Sequence, residues 1–152
     1  MVGLVLLGTL KNNKTFTSNT LGDLPQLVSD LRPHIQHKLL LIIGDLGAGK
    51  TTFVKELVVQ LGSSDVASSP SYAIINKYAA PTTIYHIDLY RLDSTEDVFH
   101  LGIEELLYGD NICLIEWPQI IINQIDPPYH ILKIDVNLEG KRQFTLTQVV
   151  QD

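Results

Sequence analysis

One stretch constrains the fold of this chain more than any other. The apolar run Leu39-Leu40-Leu41-Ile42-Ile43 leads into Gly44-Asp45-Leu46-Gly47-Ala48-Gly49, which ends in Lys50-Thr51-Thr52. Five apolar residues without a polar break suit a strand buried on both faces of a parallel sheet. Past the loop, Val54, Leu57, Val58 and Leu61 recur at helical spacing. From Gly44 the loop reads G-x-x-x-x-G-K-T, the pattern of a phosphate-binding P-loop. Its glycines let successive backbone N–H groups turn toward phosphate oxygens. On this pattern Asp45, Leu46, Gly47, Ala48, Gly49 and Thr52 belong to the phosphate cradle. Lys50 reaches the β- and γ-phosphates, the Thr51 hydroxyl ligates Mg²⁺, and the following helix aims its positive end at the anion.

A strand, loop and helix of this kind predict an α/β fold: a single P-loop NTPase domain over 1–152. The expected sheet is mostly parallel at its centre, with antiparallel flanking strands and helices on both faces. A chain of 152 residues with 45% hydrophobic content is long and apolar enough for one core. Residues 1–13 stand as an N-terminal extension with no assigned role. The one cysteine, Cys113, lies in the apolar run Ile112–Ile115 and reads as a small buried hydrophobe. No apolar run approaches the ~20 residues that span a bilayer. The Val2–Leu10 run lacks the basic start and small-residue cleavage site of a secretory signal. A cytoplasmic protein is the expectation.

The net charge of −6 argues against a general nucleic-acid binder, because neutralising phosphates needs a basic surface. Only three arginines are present: Arg32, Arg91 and Arg142. Kinases that clamp two phosphorylated substrates need more basic groups, which lowers that reading.

Along the chain, Lys14–Ser18 suits a short strand. Thr20 or Asp23 can cap a helix whose apolar face is Leu24, Leu27, Val28 and Leu31, with Pro25 in its first turn. The P-loop helix runs to about Leu61 and stops at Gly62. Ile74–Tyr78 and Thr83–Asp88 predict an antiparallel hairpin. Ser94 can cap a helix that breaks at Gly102 and resumes over Ile103–Leu107. A strand over Asn111–Trp117 follows, then a hairpin of His130–Val136 with Gln143–Val149.

A P-loop needs a carboxylate partner for its metal, and the end of an apolar strand is the place for one. Two acids qualify. Glu116 follows Ile112–Ile115 and is the preferred metal ligand beside Thr51. Asp88 follows Ile84–Ile87 and either binds the metal through water or orients the attacking water. Lys50, Asp88 and Glu116 are thus the candidate catalytic residues. His86, on the same strand as Asp88, reads as structural. Trp117 either packs or stacks near the nucleotide. Asn76-Lys77-Tyr78-Ala79 begins the guanine-reading pattern N-K-x-D but lacks its acid, which favours ATP over GTP.

Four motifs now stand in order: Gly44 to Phe53, Ser69-Pro70-Ser71-Tyr72, Tyr85-His86-Ile87-Asp88-Leu89-Tyr90-Arg91-Leu92, and Ile115-Glu116-Trp117-Pro118. Together they resemble the bacterial TsaE (YjeE) family of small P-loop ATPases, from about Thr15 to Val149. The resemblance implies an ATP- and Mg²⁺-dependent subunit required to make N6-threonylcarbamoyladenosine at position 37 of tRNAs reading codons that begin with A. It implies action with a TsaB–TsaD complex, which transfers a group supplied as an adenylate by TsaC, and contact with tRNA only indirectly through that complex. It matches Lys50 to the phosphate-binding lysine, Thr51 and Glu116 to the metal ligands, Asp88 to the second acid and Trp117 to the neighbouring tryptophan. Ser69-Pro70-Ser71 matches a switch-like loop, with Ser71 where many members carry Thr. Gly140-Lys141 resembles a C-terminal Gly-basic pair near the nucleotide. No arginine finger is obvious, Arg91 being the nearest candidate, so slow hydrolysis alone is expected. A small-molecule kinase and a nucleotide-gated binding module are the competing classes.

Overall fold

The computed structural model describes residues 6–65 and 74–152. Among these, strand β1 is Thr9–Ser18, helix α1 Leu24–Leu31, β2 Leu39–Ile43 and α2 Lys50–Gln60. Then come β3 Ile75–Tyr78, β4 Ile84–Asp88, α3 Thr95–His100, α4 Ile103–Leu107, β5 Ile112–Glu116, β6 Tyr129–Val136 and β7 Arg142–Val150. The strands form one seven-stranded sheet in the order β1-β7-β6-β2-β5-β4-β3. The four central strands β6-β2-β5-β4 are mutually parallel. The flanking pairs β1-β7, β7-β6 and β4-β3 are antiparallel. This is the α/β architecture expected from the sequence.

Strand periodicity sorts the side chains into two cores. Leu40 and Ile42 of β2, Leu114 of β5, Leu132 of β6 and Phe144 of β7 face α1 and α2. Leu39, Leu41, Ile43, Cys113 and Ile115 face the other way, against α3, α4 and Ile121–Ile122. β2 is therefore buried along its whole length, which is why it carries no polar residue. α1 presents Leu24, Leu27, Val28 and Leu31 to the first core, and α2 presents Phe53, Val54, Leu57 and Val58. At about 1.5–3 kcal/mol for each fully buried large apolar side chain, those eight seat the two helices firmly.

Local signals place the helix ends. Gly62 has φ +94°, its N–H donates to the Val59 carbonyl, and the Ser63 N–H donates to the Val58 carbonyl. That pair of bonds closes the C-terminus of α2. The Ser94 hydroxyl accepts from the Asp97 N–H at 3.1 Å and starts α3. Gly102, at φ +74°, separates α3 from α4.

The N-terminal strand is longer than the sequence pattern predicts. β1 begins at Thr9 and pairs with β7, with a register shift between Lys11 and Lys14 where Asn12 has φ 57°. Part of the apparent extension is thus the edge of the sheet. Among the described residues, no helix is long and apolar enough to cross a membrane.

Candidate nucleotide site

The site lies where β2, β4 and β5 end. β2 delivers the chain to the loop, and α2 starts at Lys50. Gly47 and Gly49 have φ +79° and +104°, so the loop's tight wrap uses a conformation that a side chain would strain. Beside the loop lies a cavity of about 490 Å³, bounded by Gly44–Ala48, Trp117, Gln119 and the end of β6.

Lys50 is 5% exposed. Its Nζ donates to the carbonyls of Gly44 (2.6 Å) and Asp45 (2.9 Å). The ammonium also sits 4.2 Å from the centre of the Trp117 ring. Burial lowers its proton affinity, and the charges of Glu116, Asp88 and Asp45 oppose that fall. Lys50 thus rests at the mouth of the loop on carbonyl partners that a stronger anionic acceptor can replace.

Glu116 is 2% exposed. The Thr51 hydroxyl is 3.1 Å from each of its carboxylate oxygens. Nε2 of the fully buried His86 lies 2.5 Å from Oε2. Strand parity explains the meeting. His86 and Asp88 on β4, and Glu116 on β5, project from the face of the sheet that carries α2. Asp88 pairs in register with Glu116, and His86 with Leu114. His86, read from sequence as structural, is therefore in direct contact with the proposed metal ligand.

Asp88 is half-buried, and its Oδ1 accepts the Tyr90 N–H at 3.0 Å. Burial pushes its carboxyl above the usual 3.8. The Tyr90 N–H pulls it down, the Glu116 charge adds to the rise, and His86 and Lys50 oppose it. Trp117 follows β5 in a left-handed conformation, φ 56° and ψ 54°, uncommon for a bulky residue and costly by roughly 1–3 kcal/mol. The bend lays its ring over Lys50, with the Tyr90 ring 4.8 Å away.

Other candidates fall in different places. Asp45, Leu46 and Thr52 are exposed on the loop and the first turn of α2. Lys141 lies in the β6–β7 turn, its amine 3.5 Å from Glu139. The basic residue at the loop is its neighbour: Arg142 donates through Nε to the Ala48 carbonyl at 2.8 Å and through a terminal nitrogen to Gly47 at 3.4 Å. The signal for it was alternation along β7. Phe144 and Leu146 face α2, so position 142 shares their side. Arg91 lies in the turn after β4. The Ser69-Pro70-Ser71 loop falls outside the described residues.

A buried carboxylate paired with a partly exposed hydroxyl beneath a Gly-rich loop, with a lysine at its mouth, suits Mg²⁺ and a nucleoside polyphosphate. Mg²⁺ takes few protein oxygens and completes its shell with phosphates and water.

Comparison with known proteins points to one family. The family profile "Threonylcarbamoyl adenosine biosynthesis protein TsaE" matches residues 14–144. The tRNA threonylcarbamoyladenosine biosynthesis protein TsaE of Treponema pallidum is 37% identical over 109 residues, covering 71% of this chain and 80% of that one. The protein of the same name from Rickettsia conorii is 44% identical over 116 residues, covering 75% of this chain and 62% of its own. A crystal structure of Bacillus subtilis YdiB superposes with a TM-score of 0.74 at 26% identity, covering 93% of this chain and 88% of that one. With its profile, its relatives and its fold in agreement, the chain belongs to the TsaE family.

Proposed function

We propose that this chain binds ATP with Mg²⁺ and hydrolyses it in support of threonylcarbamoylation of adenosine 37 in tRNAs reading codons that begin with A. Proteins of its family take part in tRNA threonylcarbamoyladenosine biosynthesis. On this reading it acts in the cytoplasm with a TsaB–TsaD complex, does not perform the transfer, and meets tRNA through that complex. The observation that carries the ATPase reading is the convergence of the Lys50 ammonium, the Thr51 hydroxyl and the Glu116 carboxylate at the end of the P-loop.

The residues have separable tasks. Lys50 exchanges loop carbonyls for phosphate oxygens and holds positive charge where negative charge accumulates. Thr51 and Glu116 supply the two hard oxygens for the metal. Bound Mg²⁺ supplies charge neutralisation for phosphoryl transfer to water. Asp88 orients the water. Glu116 is already engaged by Thr51 and His86, whereas Asp88 has the raised proton affinity that suits a base. Arg142 tethers the loop from β7. The acidic balance of the chain supports leaving tRNA to the partners.

Reconstitution tests the proposal. TsaB, TsaC and TsaD are assayed for modified tRNA with this chain, without it, and with Lys50→Ala in its place. Sustained modification is expected only with the unaltered chain. Equal yields in all three arms would overturn the reading.

A further inference from the structure

We infer that His86 is the positioning residue that fixes which oxygen of Glu116 faces the metal; this rests on the ATP·Mg²⁺ reading of the site. A glutamate side chain has three torsions, and its carboxylate can present either oxygen. The Thr51 hydroxyl does not choose between them, because it lies 3.1 Å from each. His86 does choose: its Nε2 is 2.5 Å from Oε2, and no such bond is made to Oε1. A carboxylate has only acceptors to offer, so Nε2 carries the hydrogen and donates. Oε2 is thereby committed inward, and Oε1 is the oxygen left for the metal.

Three further observations make this a built arrangement. The His86 ring is fully buried, so it cannot swing to solvent. It stands on β4, whose ladder to β5 fixes its position relative to Glu116. Among the described residues its Nδ1 has no hydrogen-bond partner. An apolar side chain of similar size would fill this place without leaving a polar atom unpaired, so packing alone does not account for a histidine. A hydrogen-bonded partner behind a metal-ligating carboxylate commonly changes metal affinity by about 10–100-fold.

The experiment measures binding, so it does not depend on turnover. A non-hydrolysable ATP analogue is titrated calorimetrically into the wild-type chain, with Mg²⁺ and with a chelator, and the ratio of affinities is the Mg²⁺ gain. His86→Leu is expected to keep the chelator affinity and lose about tenfold of the gain. His86→Gln, which retains an N–H donor, is expected to recover most of it. His86→Asn, too short to reach Oε2, behaves as Leu does and serves if the Leu variant does not fold. A wild-type gain that survives in Leu and Asn overturns the inference alone. Affinity lost equally with and without Mg²⁺, in step with melting temperature, also overturns it, because that is a structural role. No Mg²⁺ gain in the wild type overturns the reading of the site and this inference with it.

Discussion

Glu116 is the residue on which the site converges, and it receives hydrogen bonds from two elements, α2 and β4. Glu116→Gln keeps its shape but turns an NH₂ group toward one of two donors, Thr51 or His86. Nucleotide binding is expected within several-fold of wild type and hydrolysis reduced by about 100-fold or more, measured as phosphate release. Asp88 makes a different prediction. Its folded carboxyl holds a proton more tightly than the unfolded one. Its contribution to stability therefore declines as pH rises from 3.8 through the folded value. Asp88→Asn keeps an acceptor for the Tyr90 N–H and removes a buried charge. It should raise the melting temperature at pH 7, with the advantage vanishing toward pH 3.8, while hydrolysis falls. A lower melting temperature at neutral pH would contradict this. His130 behaves oppositely. It is 2% exposed and accepts the Gln36 N–H at Nε2 (2.9 Å). Burial, then the neighbouring His37, pushes its proton affinity down from 6.5 to about 4. Between those values the unfolded chain binds a proton that the folded chain refuses, so stability falls as pH drops through the window. The loss approaches about 3 kcal/mol near pH 4. Denaturant titrations from pH 7 to 4.5 should show the slope, and His130→Gln should flatten it.

Elements, more than single residues, decide what the sequence could reveal. α1 and α2 were legible because each has a buried face and a repeating pattern, and β2 because it is an unbroken apolar run. The apolar face of α1 was legible because the burial pattern and Pro25 in its first turn point the same way. β1 was read as starting five residues late because it is an edge strand. Thr9 to Thr15 are all exposed, so no alternation marks them. The contacts of His86 and Arg142 were missed for another reason. Alternation along a strand gives each its face of the sheet, but which strand or loop it meets there depends on which strands become neighbours, and spacing along one chain does not carry that. Once β4 lies beside β5, parity alone puts His86, Asp88 and Glu116 on one face. Once β7 starts at Arg142, its side chain points at the P-loop while Lys141 stays in the turn. Arg142→Met, which keeps the apolar stem, is expected to weaken nucleotide binding by about tenfold, the scale of a lost charged hydrogen bond. Lys141→Ala should leave binding within twofold, as read by ADP titration. α2 itself depends on its buried face. Leu57, 1% exposed, should cost about 2–5 kcal/mol of unfolding free energy as Leu57→Ala.

At the scale of the whole molecule, the sheet order does the assembling. β4, β5 and β2 are adjacent and parallel. Their C-terminal ends therefore bring Asp88, Glu116 and the P-loop to one edge, where ligands of open α/β sheets bind. The net charge balance, 11 basic against 17 acidic residues, makes a poor surface for a polyanion. On the function proposed for it, the chain is an energy-coupling subunit whose chemistry is local and whose effect is exerted on partners. One measurement tests that most directly: the number of tRNAs modified per TsaB–TsaD complex when Glu116→Gln replaces the unaltered chain. The variant, still binding ATP, is expected to support at most about one round, while the unaltered chain supports many. Equal numbers of rounds would show that hydrolysis at this site is not what the partners need.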